Sequence, residues 1–172
     1  GNEPVDELIG KKFIMYIGRP TPHKNLRRLI DAFALLQKKY PDLTLALAGK
    51  KDSNYARHET YVNEHGIKNV VFTGFISDEQ LRWMYENTAV YCFPSLSEGF
   101  GLPGLEAMLH GAPVASSTAT CLPETHGDAA HYFDPFSVED IAKSIDDILS
   151  DDKLRNELVK KGKKHVKTFS WQ

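Results

Sequence analysis

At 172 residues, 41% of them hydrophobic and 26% charged, the chain has the length of one domain and an ordinary globular balance, which excludes fibrous and disordered classes. A net charge of −2 argues against a general polyanion binder such as a nucleic-acid-binding protein, so any phosphate must be held by a local site. No apolar run reaches transmembrane length and no basic-then-apolar leader opens the chain; the two cysteines, Cys92 and Cys121, point to a reduced, cytoplasmic protein.

Residues 1–10 read as a polar linker remnant and residues 11–172 as the folded domain; with no initial methionine, a piece of a longer protein is the expectation. The run Phe13-Ile14-Met15-Tyr16-Ile17 reads as a first strand, followed by a helix with Leu26, Leu29, Ile30, Phe33 and Leu36 at helical spacing. A second strand is expected from Leu43 to Ala48, a polar helix from Ala56 to His65, and a third strand from Val70 to Thr73. Ser77 with Gln80 makes a capping box that opens a helix carrying Leu81, Met84 and Tyr85. Ala89 to Phe93 is the fourth strand, Pro113 to Ser116 the fifth and His131 to Phe133 a short sixth. Ser137 with Asp140, and then Asp151, open the last two helices. This alternation predicts an α/β fold: a Rossmann-like parallel sheet of about six strands with helices on both faces, binding ligands at the carboxyl ends of its strands. The basic run Lys160, Lys161, Lys163, Lys164 and Lys167 is either a solvated helix end or a contact for anionic lipid.

The richest segment is Ser97-Glu98-Gly99-Phe100-Gly101-Leu102-Pro103-Gly104-Leu105-Glu106-Ala107, whose glycines sit between the fourth strand and a helix. Unpaired amides and a positive dipole at a helix start favour an anionic phosphate, and Gly99 and Gly101 let the chain approach it closely. Glu106, read as lying in the first helical turn, could accept two hydrogen bonds from a vicinal diol such as a ribose. Glu98 could accept from the hydroxyls of a second sugar. After the first strand, Gly18-Arg19-Pro20-Thr21-Pro22-His23-Lys24-Asn25 puts a guanidinium and an ammonium in the loop before a helix, a pair suited to a diphosphate and to the charge that develops when it leaves. His23 either faces that diphosphate or is an ordinary exposed loop histidine. No Asp-x-Asp triplet and no clustered His/Cys set occurs, so no metal and no cofactor are expected, and the first strand lacks the Gly-x-Gly-x-x-Gly of a dinucleotide domain.

The glutamate-x7-glutamate string around Gly-Phe-Gly-Leu-Pro, with Gly-Arg and Lys-Asn upstream, resembles the retaining glycosyltransferases of family four (glycosyl transferases group 1), over about residues 12 to 171. The resemblance implies the carboxyl-terminal, donor-binding half of a GT-B fold, with the amino-terminal acceptor domain absent. It further implies catalytic roles for Arg19, Lys24 and Glu98, with Gly18, Ile76, Gly99, Phe100, Gly101, Leu102 and Glu106 binding the substrate. In that pattern Arg19 and Lys24 clamp the donor diphosphate, Glu98 faces the hexose, Glu106 holds the ribose, and the backbone at Ile76 meets the base. The implied partner is a nucleoside-diphosphate sugar, a GDP- or UDP-hexose, with a mannose donor favoured by analogy with similar chains, and any membrane contact is expected only through the missing half or the acceptor. His110 and His126 depart from the small or aliphatic residues usual at those positions. The alternatives are half of a GT-B sugar-nucleotide epimerase or phosphorylase, or a non-catalytic module that keeps the fold.

Overall fold

The computed structural model describes residues 2–98, 100–119 and 122–169; Gly99 and Cys121 lie outside the described residues. Six strands, β1 (Phe13–Ile17), β2 (Thr44–Ala48), β3 (Val70–Phe72), β4 (Val90–Phe93), β5 (Val114–Ser117) and β6 (Ala130–Phe133), form one sheet in the order β3-β2-β1-β4-β5-β6. Every pairing in it is parallel. The helices are α1 (Leu26–Gln37), α2 (Ser53–Glu64), α3 (Asp78–Asn87), α4 (Leu102–Leu109), α5 (Leu122–His126), α6 (Val138–Ser150) and α7 (Asp152–Val166).

The period-two geometry of a strand sorts side chains to the two faces. Ile14, Tyr16, Leu45, Leu47, Val90 and Cys92 pack with α1, α2 and α6 on one face. Phe13, Met15, Ala46, Ala48, Tyr91 and Phe93 pack with α3, α4, α5 and α7 on the other. A sheet covered on both sides needs apolar residues at consecutive positions, which is why these strands read as continuous apolar runs. Each fully buried Leu, Ile or Phe contributes roughly 1.5–3 kcal/mol before conformational entropy is subtracted.

Caps fix the helix starts. Ser77 and Gln80 form the expected reciprocal box at α3, the Ser137 side chain accepts from Asp140 N, and the Asp151 side chain accepts from Leu154 N. Asp52 accepts from Asn54 N and Tyr55 N, so α2 begins at Ser53, ahead of the expected Ala56. The segment expected as a linker is partly anchored: Asp6–Leu8 form a 3-10 turn, and Val5 and Leu8 are buried in the α3/α4 core. Its two apolar side chains, four acidic or amide neighbours notwithstanding, complete that face of the sheet.

Candidate functional site

Strand order reverses on either side of β1: the chain runs outward through β2 and β3, then returns to place β4 on the opposite flank of β1. The carboxyl ends of β1 and β4 therefore diverge into a crevice, the place where open α/β sheets hold ligands. The two loops carrying the sequence motifs leave these two strands. They are joined by a hydrogen bond from Leu96 N to His23 O at 2.7 Å.

Lys24 and Glu98 meet there. The ammonium donates to both carboxylate oxygens, at 3.0 Å and 2.8 Å, with side chains 20% and 14% exposed. Asn25 braces the arrangement from beneath. It is buried, it takes a left-handed backbone (φ 66°) before α1, and its amide donates to Pro94 O at 3.0 Å and Pro135 O at 2.7 Å. Asparagine tolerates that conformation better than other residues with a Cβ. Nothing local in the sequence signals this side chain as a donor to two remote carbonyls.

Arg19 is placed elsewhere in the same loop: it is exposed and lines a hollow of about 440 Å³ with Gly18, Gly49, Lys50 and Asp52. Gly18 is packed too tightly for a side chain, because a Cβ there would lie 2.9 Å from the Tyr16 hydroxyl. The Tyr16 hydroxyl donates to Arg19 O, and Tyr55 donates to Gly18 O at 2.7 Å, so two buried phenols hold this end of β1. Burial pushes both phenols far above their ordinary pKa, with nearby Tyr55 and Glu98 adding to the effect at Tyr16, so both remain donors. His23 is exposed, its Nδ1 3.1 Å from Thr21 Oγ1.

Helix α4 begins earlier than expected, which corrects the position of Glu106. With Gly101 as N-cap and Pro103 near the start, where its fixed φ suits a helix, Glu106 is the fifth helical residue and lies beyond the first turn. Pro103 has no N–H and Gly104 N already donates to Gly101 O at 3.1 Å, so this helix start offers fewer open amides than the glycine count implied. Phe100 and Leu102 are half exposed on the rim, at 50% and 47%. Glu106 is exposed and lines a hollow of about 390 Å³ between α3 and α4, with Asp78, Arg82, Tyr85 and His110. Burial, and after it the Glu106 carboxylate, raise the Tyr85 pKa. Ile76 tucks its side chain against the α3 face of the core, while neighbouring Phe75 stands 81% exposed.

The two unusual histidines have packing roles. His110 stacks on Tyr85, with centroids 5.9 Å apart and planes 7° from parallel. His126 is fully buried beneath the glycine turn, with Nε2 3.2 Å from Gly101 O and Nδ1 3.2 Å from Ser116 Oγ. The carbonyl can only accept, so Nε2 carries the proton. A Cβ on Gly104 would sit 2.3 Å from His126 Nε2: the imidazole occupies the space a side chain at 104 would need.

The sequence matches the family Glycosyl transferases group 1 over residues 3–165. The chain belongs to that family. This group 1 domain is 36% identical over 171 residues to O-antigen chain mannosyltransferase B of Escherichia coli, covering 96% of the chain but 44% of the relative. In structure it is similar to the C-terminal domain of the glycosyl transferase group 1 protein LpcC from Francisella tularensis, with a TM-score of 0.81 at 31% identity, covering 95% of the chain and 88% of that domain. It is also similar to sucrose-phosphate synthase from Thermosynechococcus elongatus, with a TM-score of 0.85 at 30% identity, covering 94% of the chain and 42% of that structure. The group 1 domain thus spans less than half the length of the curated relative above, and its fold is that of a carboxyl-terminal GT-B domain.

Proposed function

We propose that this chain is the donor-binding domain of a retaining glycosyltransferase that moves a hexose from a nucleoside-diphosphate sugar to an acceptor. The observation that carries the reading is the meeting of Lys24 and Glu98 at the β1/β4 crevice, a cation for a diphosphate beside a carboxylate for sugar hydroxyls. When the bond between the anomeric carbon and the diphosphate oxygen breaks, the electron pair departs with the diphosphate. Lys24, with Arg19 on the same loop, offsets that charge, the task a metal performs in other transferases. Glu98 accepts from the hexose hydroxyls, Glu106 from the ribose diol, and the backbone around Ile76 faces the base. Gly18, Gly99 and Gly101 join the donor-binding set through the family pattern, and Phe100 and Leu102 border the sugar; at Gly18 and Gly101 packing also demands glycine, since a Cβ would meet Tyr16 or Leu122. The relative's name favours mannose as the hexose. Catalysis also requires an acceptor held against the anomeric carbon, which a second domain across the crevice would provide. No cofactor enters this scheme, and the setting proposed for it is cytoplasmic, in keeping with the two cysteines read as reduced.

The test titrates GDP-mannose, UDP-glucose and the parent nucleotides into the protein, reading thermal shift and calorimetric heat. Glu106→Ala is expected to weaken nucleotide binding about tenfold or more, the loss of charge-assisted hydrogen bonds to a diol. Equal affinity for ribo- and 2′,3′-dideoxy-nucleotides would remove the diol role.

A further inference from the structure

On the α1/α2 face, the first two turns of these helices and the loop after β1 line a hollow of about 550 Å³ whose lining includes Thr21, Arg27, Arg28, Asp31, Arg57 and His58. Three guanidiniums line it with the one carboxylate of Asp31, and the Asp52 carboxylate at the start of α2 is close enough to act on His58, so positive charge is in excess. None of the three makes an ion pair among the described residues. Two are nevertheless held in place. Arg27 lies over the Tyr61 ring, 3.7 Å from its centroid, and Tyr61 in turn donates to Asp31 Oδ1. Arg28 donates to Asn25 Oδ1 at 3.0 Å and stands 5.3 Å from the Phe136 ring. Such contacts position a guanidinium while leaving most of its fork of donors free.

His58 supplies an independent observation. Its Nδ1 is buried with no hydrogen-bond partner among the described residues, so a ligand group or a solvent molecule is needed to satisfy it. Burial first, and then Arg27 and Arg57, hold this imidazole below its ordinary pKa, opposed by Asp52; Arg28 and Asp31 face it across the hollow.

We propose that this hollow binds a phosphate group on a ligand other than the sugar donor. Planar guanidiniums match the oxygens of a phosphate two at a time, and a bound phosphate would offset the excess positive charge. The volume exceeds what a lone phosphate fills and suits a phosphorylated small molecule of about sugar size. A bound phosphate beside the imidazole favours its protonated form, against burial and the two guanidiniums, so the His58 pKa rises as the ligand enters. The site shares only the β1 loop with the crevice, and the proposal does not rest on the donor reading.

The experiment follows the His58 ring resonances by NMR while inorganic phosphate is added at pH 6.5. The expected result is a saturable shift and a raised His58 pKa, about tenfold weaker in Arg57→Gln and similarly weaker in Arg28→Gln, and retained in Lys24→Ala. No saturable shift in the wild type overturns the site. A shift abolished by Lys24→Ala but kept in both arginine variants also overturns it, by placing the phosphate in the crevice. Flotation with phosphatidic-acid vesicles, against phosphatidylcholine alone, then names the source: Arg57-dependent flotation puts the phosphate on a lipid, and none puts it on a soluble molecule, each upholding the phosphate site once the shift is seen.

Discussion

The side-chain amide of Asn25 joins three loops, donating to Pro94 O after β4 and to Pro135 O after β6 from its own place before α1. Asn25→Asp keeps the shape and turns two donors into acceptors aimed at carbonyls, so urea unfolding should show a loss of about 2–4 kcal/mol; a loss under about 0.5 kcal/mol would mean that the amide is dispensable. Close by, Gly104→Ala is expected to cost about 1–3 kcal/mol through overpacking against the His126 ring. The double variant with His126→Ala should lose less than the sum of the singles, and strict additivity in the cycle would disprove the contact. At this scale the sequence was legible where position follows from a local string, as for Lys24 in the loop after β1 and Glu98 in the loop after β4. It was silent on which loops abut. The Lys24–Glu98 pair, the reach of Asn25 and the fit of His126 against Gly104 all depend on chain segments far apart in sequence, and local spacing holds no trace of them.

Helix boundaries were readable to the extent that their caps are local. The box at Ser77 and the caps at Ser137 and Asp151 appear as expected, because each is a bond across three residues. Helix α4 starts earlier than its run of helix formers indicates, because its N-cap is a glycine with φ 82°, which has no side chain to announce it. That helix start rests on His126, and the support is pH-dependent. Burial holds the folded-state pKa of His126 below the 6.5 of the free side chain. Above pH 6.5 both folded and unfolded chains hold it neutral and stability is complete. As pH falls below 6.5 the unfolded chain takes up a proton that the folded one refuses, so stability declines until the folded value is reached. His58 acts with the same sign. The melting temperature should therefore drop between pH 6.5 and about 5, with a shallower slope in His126→Gln; an unchanged slope would show that this imidazole does not titrate with unfolding.

The parallel sheet, its six strands and its two helical layers were all legible, because apolar runs alternating with amphipathic helices have few other ways to bury themselves. The sequence did not reveal that Val5 and Leu8 would dock, since two apolar residues in a polar stretch carry no period. The depth of the core gives a whole-molecule test. Cys92 is fully buried in β4 beside the central strand, and burial pushes its thiol pKa up, out of reach of reagents that attack thiolates. In a Cys121→Ser background its labelling should require global unfolding and follow urea with the full equilibrium slope; rapid labelling of the native protein would show that β4 opens locally. The imidazole beneath the glycine turn links successive crossovers of this sheet, and that has a historical consequence. Positions 104 and 126 cannot drift independently: a lineage that gains bulk at the first must already have shed it at the second, or pass through a weakened ancestor on the way.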